Sequence, residues 1–393
     1  MRMIEFHEAI DTIRKAVLPL ACETVSLGDS LYRVLAEDII SDLDLPPFNK
    51  ASMDGFACRR ADLPGPFSIV EDIPAGKFPK KQIKTGECAR IMTGAPVPDG
   101  ADMVFMVEHH EIQPDGSVMF THGKSSDNIC FLGEDVKKDT MVLAKGSFIH
   151  PQEIAILAVA GKSNVLVFKK PKVGVLSTGS ELVEPYMHPK PGQIRNSNGP
   201  QMMAQLAQMG ANAEYFGLIH DTQEEILGKI QTALKFTDVL FISGGVSVGD
   251  YDFVPQVLQE LDFEILITSI ATKPGKHTLF ARKENKYVLG FPGNPVSSFI
   301  QLEFIGKELL YGLMGYSSKT SRFKTVFIDD FHRKSADRLE FLPVKINESG
   351  KVELLPYNGS AHIHALLNAN ALMEIPIGVK KIEKGDQVHV RPL

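Results

Sequence analysis

The stretch Phe241-Ile242-Ser243-Gly244-Gly245-Val246-Ser247-Val248-Gly249-Asp250-Tyr251-Asp252 runs from an apolar strand into a glycine-rich loop and ends on paired carboxylates. Such a loop is suited to holding an anion. Gly244, Gly245 and Gly249 let the backbone turn tightly and aim N–H groups into one concavity, and Ser243 and Ser247 add hydroxyl donors. A carboxylate at Asp252 is repelled by a neighbouring phosphate unless a cation lies between them, so phosphate plus Mg²⁺ is the chemistry expected. Gly249 is followed by Asp250 rather than Lys-Ser/Thr, and no G-x-G-x-x-G occurs, which removes the P-loop and dinucleotide readings.

Further loops in the same region share this character. Leu176-Ser177-Thr178-Gly179-Ser180-Glu181-Leu182 follows the apolar run Val173-Gly174-Val175-Leu176 and again sets hydroxyls, a glycine and a carboxylate at a strand end. In Leu289-Gly290-Phe291-Pro292-Gly293-Asn294-Pro295-Val296-Ser297-Ser298, Asn294 suits an N-cap and Pro295 the first helical residue, so the helix would offer free N–H groups to an anion. Between them, Lys273-Pro274-Gly275-Lys276 pins two lysines on a turn, as an oxyanion clamp or simply a solvated turn.

These loops need a scaffold that brings them together. Strand-like runs at 173–177, 213–218, 238–242 and 264–270 alternate with helical patterns at 199–209, 222–235, 253–260 and 296–311. Met202, Met203, Leu206 and Met209 repeat at helical spacing and read as core. The alternation predicts an α/β multidomain protein with a three-layer, doubly wound, mostly parallel sheet over 169–316, its ligands at the carboxyl ends of the strands. Ahead of it, over 1–168, Phe6, Ala9, Ile10, Ile13 and Val17 form one helical face and a β-rich unit is expected at about 45–140. Residues 151–161 read as an almost wholly apolar helix, expected to be buried under a neighbouring element at a fold junction or a subunit contact. Segments near 324–331, 339–346, 351–356 and 386–391 suggest a small all-β unit over 317–393.

Composition narrows the function classes. The chain has 393 residues, 44% hydrophobic and 23% charged, with a net charge of −6 that disfavours nucleic acid as a partner. No run approaches the ~18 apolar residues that span a bilayer, and Met1–Glu8 lacks a signal-peptide pattern, so a cytoplasmic protein without a membrane partner is expected. Cys22, Cys58, Cys88 and Cys130 show no C-x-x-C spacing and read as small buried hydrophobes, with a disulfide framework not expected. The pairs His109/His110 and His362/His364 have no evident third ligand and read as solvated surface.

Two N-terminal loops complete the set. Asn49-Lys50-Ala51-Ser52-Met53-Asp54-Gly55-Phe56-Ala57 contains an Asp-Gly that, taken alone, is a hairpin turn. In Arg90-Ile91-Met92-Thr93-Gly94-Ala95-Pro96-Val97-Pro98-Asp99-Gly100-Ala101-Asp102, Thr93 could donate to an anion, or the loop is a proline-stiffened turn. Ser52-Met53-Asp54-Gly55, Arg90–Pro96, Gly133-Glu134-Asp135-Val136, Ser177-Thr178-Gly179, Gly244–Gly249, Lys273–Lys276 and Pro292–Pro295, in this order, resemble the molybdopterin molybdenumtransferase family, MoeA, which includes the gephyrin E domain.

The resemblance implies a homodimer, a C-terminal β-barrel, and a site between the α/β domain of one subunit and the β unit of the other. It implies a reaction of adenylylated molybdopterin with molybdate, giving molybdenum cofactor and AMP. The pyrophosphate bridge would take Gly244, Gly245, Ser247 and Gly249, with Mg²⁺ near Asp221 and Asp252. Ser177, Thr178, Gly179, Pro292, Asn294 and Pro295 would line the pterin nucleotide, and Lys273, Lys276 and Ser297, with Arg338 and Ser360 by the resemblance, would hold molybdate. Thr93 and the carboxylates Asp54, Asp135 and Glu181 are candidates for positioning substrate or, where a nearby anion raises a carboxyl pKa, for donating protons. Ser180, His277 and Phe291 depart from the family pattern, which has aspartate, proline and leucine there. Tungstate insertion, pterin adenylylation and a non-catalytic dimeric scaffold stand as alternatives.

Overall fold

A computed structural model of the chain describes residues 3–247, 249, 252–317 and 322–393; Val248, Asp250 and Tyr251 of the glycine-rich loop lie outside the described residues. Helix α1 (Phe6–Ala16) buries Phe6, Ala9, Ile13 and Ala16, one stripe at 3- and 4-residue spacing. That stripe packs into the core under the α/β sheet.

The N-terminal β unit is built on β1 (Gly55–Cys58), β2 (Ser68–Ile73), β3 (Glu87–Ile91) and β4 (Met103–Met106), in the order β2-β3-β1-β4. β1 is antiparallel to both β3 and β4. Gly55 is required because a Cβ there would overlap the backbone carbonyl of Phe105. Two small cores, one around Ala57, Ala89 and Ile91 and one around Phe56, Phe67 and Phe105, sandwich this sheet.

Helix α2 (Pro151–Val159) corrects an expectation. Among its residues only Leu157 is buried, while Ile156 is 40% and Val159 51% exposed. An apolar helix signals burial only where some surface covers it, and among the described residues only the Leu157 side of α2 is covered.

The α/β domain follows with β5 (Lys172–Thr178), α3 (Asn198–Gln208), β6 (Asn212–Ile219), α4 (Gln223–Phe236), β7 (Val239–Ser243), α5 (Val254–Glu260), β8 (Glu264–Ile267), β9 (Leu279–Lys283), β10 (Lys286–Phe291) and α6 (Pro295–Gln301). A π-helical turn, Leu302–Gly306, joins α6 to α7 (Lys307–Leu313), so the single helix expected over 296–311 is interrupted. Sheet order is β6-β5-β7-β10-β9-β8, with β6, β5, β7 and β10 mutually parallel and β9 antiparallel to both neighbours. The strand expected over 264–270 ends at Ile267.

Both faces of this sheet are covered. Val173, Val175, Val239, Phe241, Leu289 and Phe291 point into the core shared with α1, α3, α6 and α7. Their alternates Leu176, Leu240, Ile242 and Val288 point into the core with α4 and α5. Burial on both faces explains why β5 and β7 are near-continuous apolar runs rather than alternating ones. Met202, Leu206 and Met209 of the α3 region are buried in the first core, as their spacing suggested.

The C-terminal unit has β11 (Phe323–Val326), β12 (Leu339–Ile346), β13 (Val352–Leu354), β14 (Ala371–Ile375) and β15 (Gln387–Pro392). The sheet runs β12-β14-β15-β11, with β13 also on β12 and the short strand Thr272–Lys273 of the α/β domain on β12's other side. Leu339 and Glu340 lie opposite Thr272 and Lys273. The lysine turn is thus an edge strand of the C-terminal sheet.

Candidate active site

The carboxyl ends of β5, β7 and β10 carry the loops that the sequence singled out. Ser177 lies opposite Ser243, and Ser243 opposite Phe291, so these strands end in register. Gly244 and Gly245 have φ of 91° and 64°, the left-handed region that favours glycine. A Cβ on either would press on Thr178 Oγ1, at 2.9 and 2.8 Å. The turn therefore folds directly over the Thr178 hydroxyl, and Gly244 N–H donates to Phe291 O at 3.0 Å.

What this rim leaves unbonded is informative. Among the described residues, Thr178 Oγ1 and Asp221 Oδ1 are buried without a hydrogen-bond partner. An unmet buried polar atom costs about 1–3 kcal/mol, which a bound ligand's polar groups would offset. The other Asp221 oxygen accepts from Ser180 N–H at 3.0 Å, and Asp221 N–H donates to Ser180 Oγ at 3.3 Å. Ser180 thus ties the β5 and β6 loops together without adding charge. Glu181 is exposed, and a Cβ on Gly179 would come within 3.0 Å of its carboxylate.

Asp252 does not cap the helix that follows it. Its Oδ2 accepts from Gly249 N–H at 2.9 Å, and Phe253 holds the N-cap position of α5. That bond orients the carboxylate across the glycine loop, where Ser247 is half-buried. Among the described residues, no group of three or more His, Cys, Asp or Glu is arranged to hold a metal. Asp221, with an unpartnered oxygen, and Asp252 nonetheless fit Mg²⁺, which binds through one or two carboxylates and takes its remaining ligands from phosphate and water.

The oxyanion candidates are not equivalent. Lys273 Nζ pairs with Glu340 Oε1 at 2.8 Å, and Glu340, 3% exposed, also takes Arg333 at 3.1 Å. The pairing of the two edge strands therefore neutralises Lys273, whereas Lys276 is exposed and has no ion pair among the described residues. Arg338 donates to Thr272 O at 3.5 Å from the same turn. His277 lies among Lys276, Asp252 and Arg338; burial lowers its pKa most, then Lys276, while Asp252 acts oppositely.

The helix α6 N-terminus departs from expectation. Asn294 occupies the N-cap, but its side chain makes no capping bond, and Val296 N–H donates to Ser360 O at 3.0 Å. A carbonyl from the C-terminal unit therefore fills part of the place reserved for an anion. Ser297 is buried, Pro292 and Pro295 are half-buried, and Asn294 is exposed.

Asp54, Thr93 and Asp135 form a separate group. Asp54 Oδ1 accepts from both the N–H and the hydroxyl of Thr93, each at 2.7 Å. These bonds, the hydroxyl's first, lower the Asp54 pKa, contrary to the rise expected of a proton donor. Asp135 is exposed, its N–H donating to Leu45 O at 3.0 Å. Among the described residues no hydrogen bond or ion pair links these three to the α/β rim.

Sequence reading missed Asn198, whose Nδ2 donates to Ser243 Oγ at 2.6 Å and Gly293 O at 2.7 Å, tying the β7 and β10 loops. It also missed Gln301, which donates to Pro274 O at 3.0 Å and fixes the lysine turn. The polar run Arg195-Asn196-Ser197-Asn198 at a helix entrance was the available signal for the first; nothing local marked the second. A cleft of about 800 Å³ lined by Phe6, Phe304, Tyr311 and Arg391 contains none of the candidate residues and lies apart from the rim.

Fold and site together define a multidomain protein of mixed α/β content, with a glycine-rich strand edge flanked by two β-rich units. The MoeA N-terminal region (domain I and II) matches residues 4–161, a probable molybdopterin binding domain matches 174–311, and the MoeA C-terminal region (domain IV) matches 329–393. The chain is 35% identical to a molybdopterin molybdenumtransferase of Staphylococcus epidermidis, covering 98% of this chain and 95% of that one. It is 33% identical to one of Bacillus subtilis (94% and 89%). A crystal structure of a molybdopterin biosynthesis moeA protein from Pyrococcus horikoshii superposes with a TM-score of 0.83 at 29% identity, each chain covered in full. The chain belongs to the MoeA family of molybdopterin molybdenumtransferases.

Proposed function

We propose that this protein inserts molybdenum into molybdopterin, as the name of its relatives indicates, taking the metal from molybdate and releasing AMP from an adenylylated form of the pterin. The observation that carries the reading is the pair of unmet polar atoms, Thr178 Oγ1 and Asp221 Oδ1, beside a left-handed glycine turn. A ligand rich in phosphate oxygens and hydroxyls satisfies both kinds of group.

Residues 169–316 form the doubly wound ligand-binding domain, 1–168 the N-terminal region and 317–393 a small β-barrel. The glycine turn, Ser177, Thr178, Gly179, Ser247 and the Pro292–Pro295 loop bind the pterin nucleotide, while Lys276, with Arg338 and His277 beside it, draws in molybdate. Lys273 anchors the turn through Glu340. Asp221 and Asp252 would hold Mg²⁺, which supplies positive charge against the pyrophosphate. Insertion exchanges molybdate oxygens for the two dithiolene sulfurs, and each oxygen departs as water, so protons must reach it. Asp54, ionised at neutral pH, positions substrate together with Thr93; Asp135 and Glu181 are left as proton donors.

The Asp54 group reaches the rim of a second subunit in a homodimer, and the uncovered apolar face of α2 supports such a contact. No described helix is long and apolar enough to cross a membrane, which suits a cytoplasmic enzyme. AMP release from adenylylated molybdopterin with Mg²⁺, with and without molybdate, tests the reading. Molybdate-dependent release that Asp252→Asn abolishes is expected. Pterin binding by the folded dimer without AMP release would overturn catalysis in favour of a scaffold.

A further inference from the structure

We propose that Cys58 and Cys88 form a reversibly oxidisable dithiol that closes to a cross-strand disulfide, locking together the two strands that lead to Asp54 and Thr93. Cys58 ends β1, Cys88 is the second residue of β3, and the antiparallel register sets them opposite one another. Both side chains are fully buried in the same small core, with Phe56, Phe67 and Met103, so both lie on one face of the sheet.

The type of pair follows from the neighbouring strand. Val107 N–H donates to Asp54 O, so the even-numbered residues of the Asp54–Cys58 segment turn their amides toward β4. Cys58 O likewise accepts from Asp102 N–H on that side. Alternation then turns only the odd-numbered residues toward β3, and Cys58–Cys88 is a non-hydrogen-bonded pair. Such pairs hold their Cα atoms about 4.5 Å apart, inside the span a disulfide bridges without backbone movement.

Cys22 is exposed, Cys130 is half-buried, and all four cysteines are free. This corrects the expectation of four buried hydrophobes and supplies the one juxtaposition that their sequence spacing hid. Burial pushes both paired thiols up to about 12, for Cys58 with the neighbouring Cys88 adding to the rise. Exchange therefore proceeds through opening of this strand end, which is followed by the half-buried Arg59 and the exposed Arg60 and Ala61.

With a low-molecular-weight disulfide as oxidant, the thiolate of one cysteine attacks it, a mixed disulfide forms and one small thiol leaves. The second cysteine attacks the protein sulfur of that mixed disulfide, the Cys58–Cys88 bond forms and the second small thiol leaves. The two cysteine protons end on the two small thiols, whose parent disulfide has taken up two electrons.

The test uses the full chain carrying Cys22→Ser and Cys130→Ser, incubated folded with glutathione disulfide and then alkylated after denaturation. Both remaining thiols should disappear together, the mass should fall by two hydrogens, and a non-reduced digest should yield one peptide pair joining residues 58 and 88. Amide exchange in 55–58 and 87–91 should slow, and dithiothreitol should reverse every change. In a Cys88→Ala variant with the same two serines, Cys58 should instead retain a glutathione adduct. Persistence of both alkylatable thiols, under conditions where Cys22 of the natural sequence is fully modified, would overturn the proposal. A stable glutathione adduct on the intact pair would do the same.

Discussion

The loop rim of the α/β sheet and the Asp54–Thr93 pair of the β unit are both polar clusters at strand ends, yet they are in opposite states of satisfaction. At the rim, Thr178 Oγ1 and Asp221 Oδ1 are buried with no bonding partner among the described residues. At the β unit, Asp54 takes two bonds from Thr93 and its pKa is depressed accordingly. On the proposed reading, the unmet capacity at the rim is what a ligand would satisfy, and the capacity already met at Asp54 belongs to a group held in readiness. A bonded, ionised carboxylate can orient a substrate brought to it but supplies no proton at neutral pH.

The most damaging way to break the comparison is to fill the glycine turn. Gly244→Val places a branched side chain at φ 91° against Thr178, so binding of adenylylated molybdopterin should fall by at least about 100-fold in a chain that still folds. Unchanged affinity in an equilibrium titration would show that the rim is not the site. A second probe separates the two clusters in space. Asp54→Asn and Asp252→Asn should each silence AMP release, and unfolding and refolding them as an equimolar mixture should restore about a quarter of wild-type activity, since half the dimers then hold one intact site. No recovery would place both groups in one chain's site or deny the dimer.

Thr178→Val sharpens the contrast further. It removes an unpartnered hydroxyl, so stability should hold or rise by about 1 kcal/mol while nucleotide affinity falls roughly 10-fold. Parallel losses of stability and affinity would mean that the hydroxyl is bonded in the free protein. The smallest effect expected is a pH dependence. The pKa of His277 lies below its ordinary 6.5, held down first by burial, so the fold favours the neutral ring and protonation on acidification costs stability. The charge gained beside Lys276 and Arg338 should tighten binding of dilute molybdate about 3-fold between about pH 7.5 and 5.5. His277→Gln should flatten that profile, and an unaltered profile would assign the dependence elsewhere.

Much of the α/β domain was legible because its strands are buried on both faces and read as apolar runs between helical patterns. β9 escaped because Leu279–Lys283 mixes apolar residues with Arg282 and Lys283 directly after the lysine turn. β14 escaped because Ala371-Leu372-Met373-Glu374-Ile375 is made largely of helix formers; sheet pairing and the ion pairs of the buried Glu374 with Arg322 and Arg391 override that propensity. The apolar α2 was legible as a helix but not as an exposed one, since burial depends on what comes to cover it.

The candidate site divides in the same way. Glycines at the positive-φ turn, hydroxyls at strand ends and the order of the loops are properties of a few consecutive residues, and the sequence by itself determined them. Which groups are satisfied was decided only by tertiary structure. Glu340 neutralises Lys273, Ser360 bonds the start of α6, Thr93 depresses Asp54, and β-sheet register sets Cys58 against Cys88. The physical reason is that backbone conformation is governed by local sterics, whereas the charge, protonation and reactivity of a side chain depend on partners contributed by distant parts of the chain.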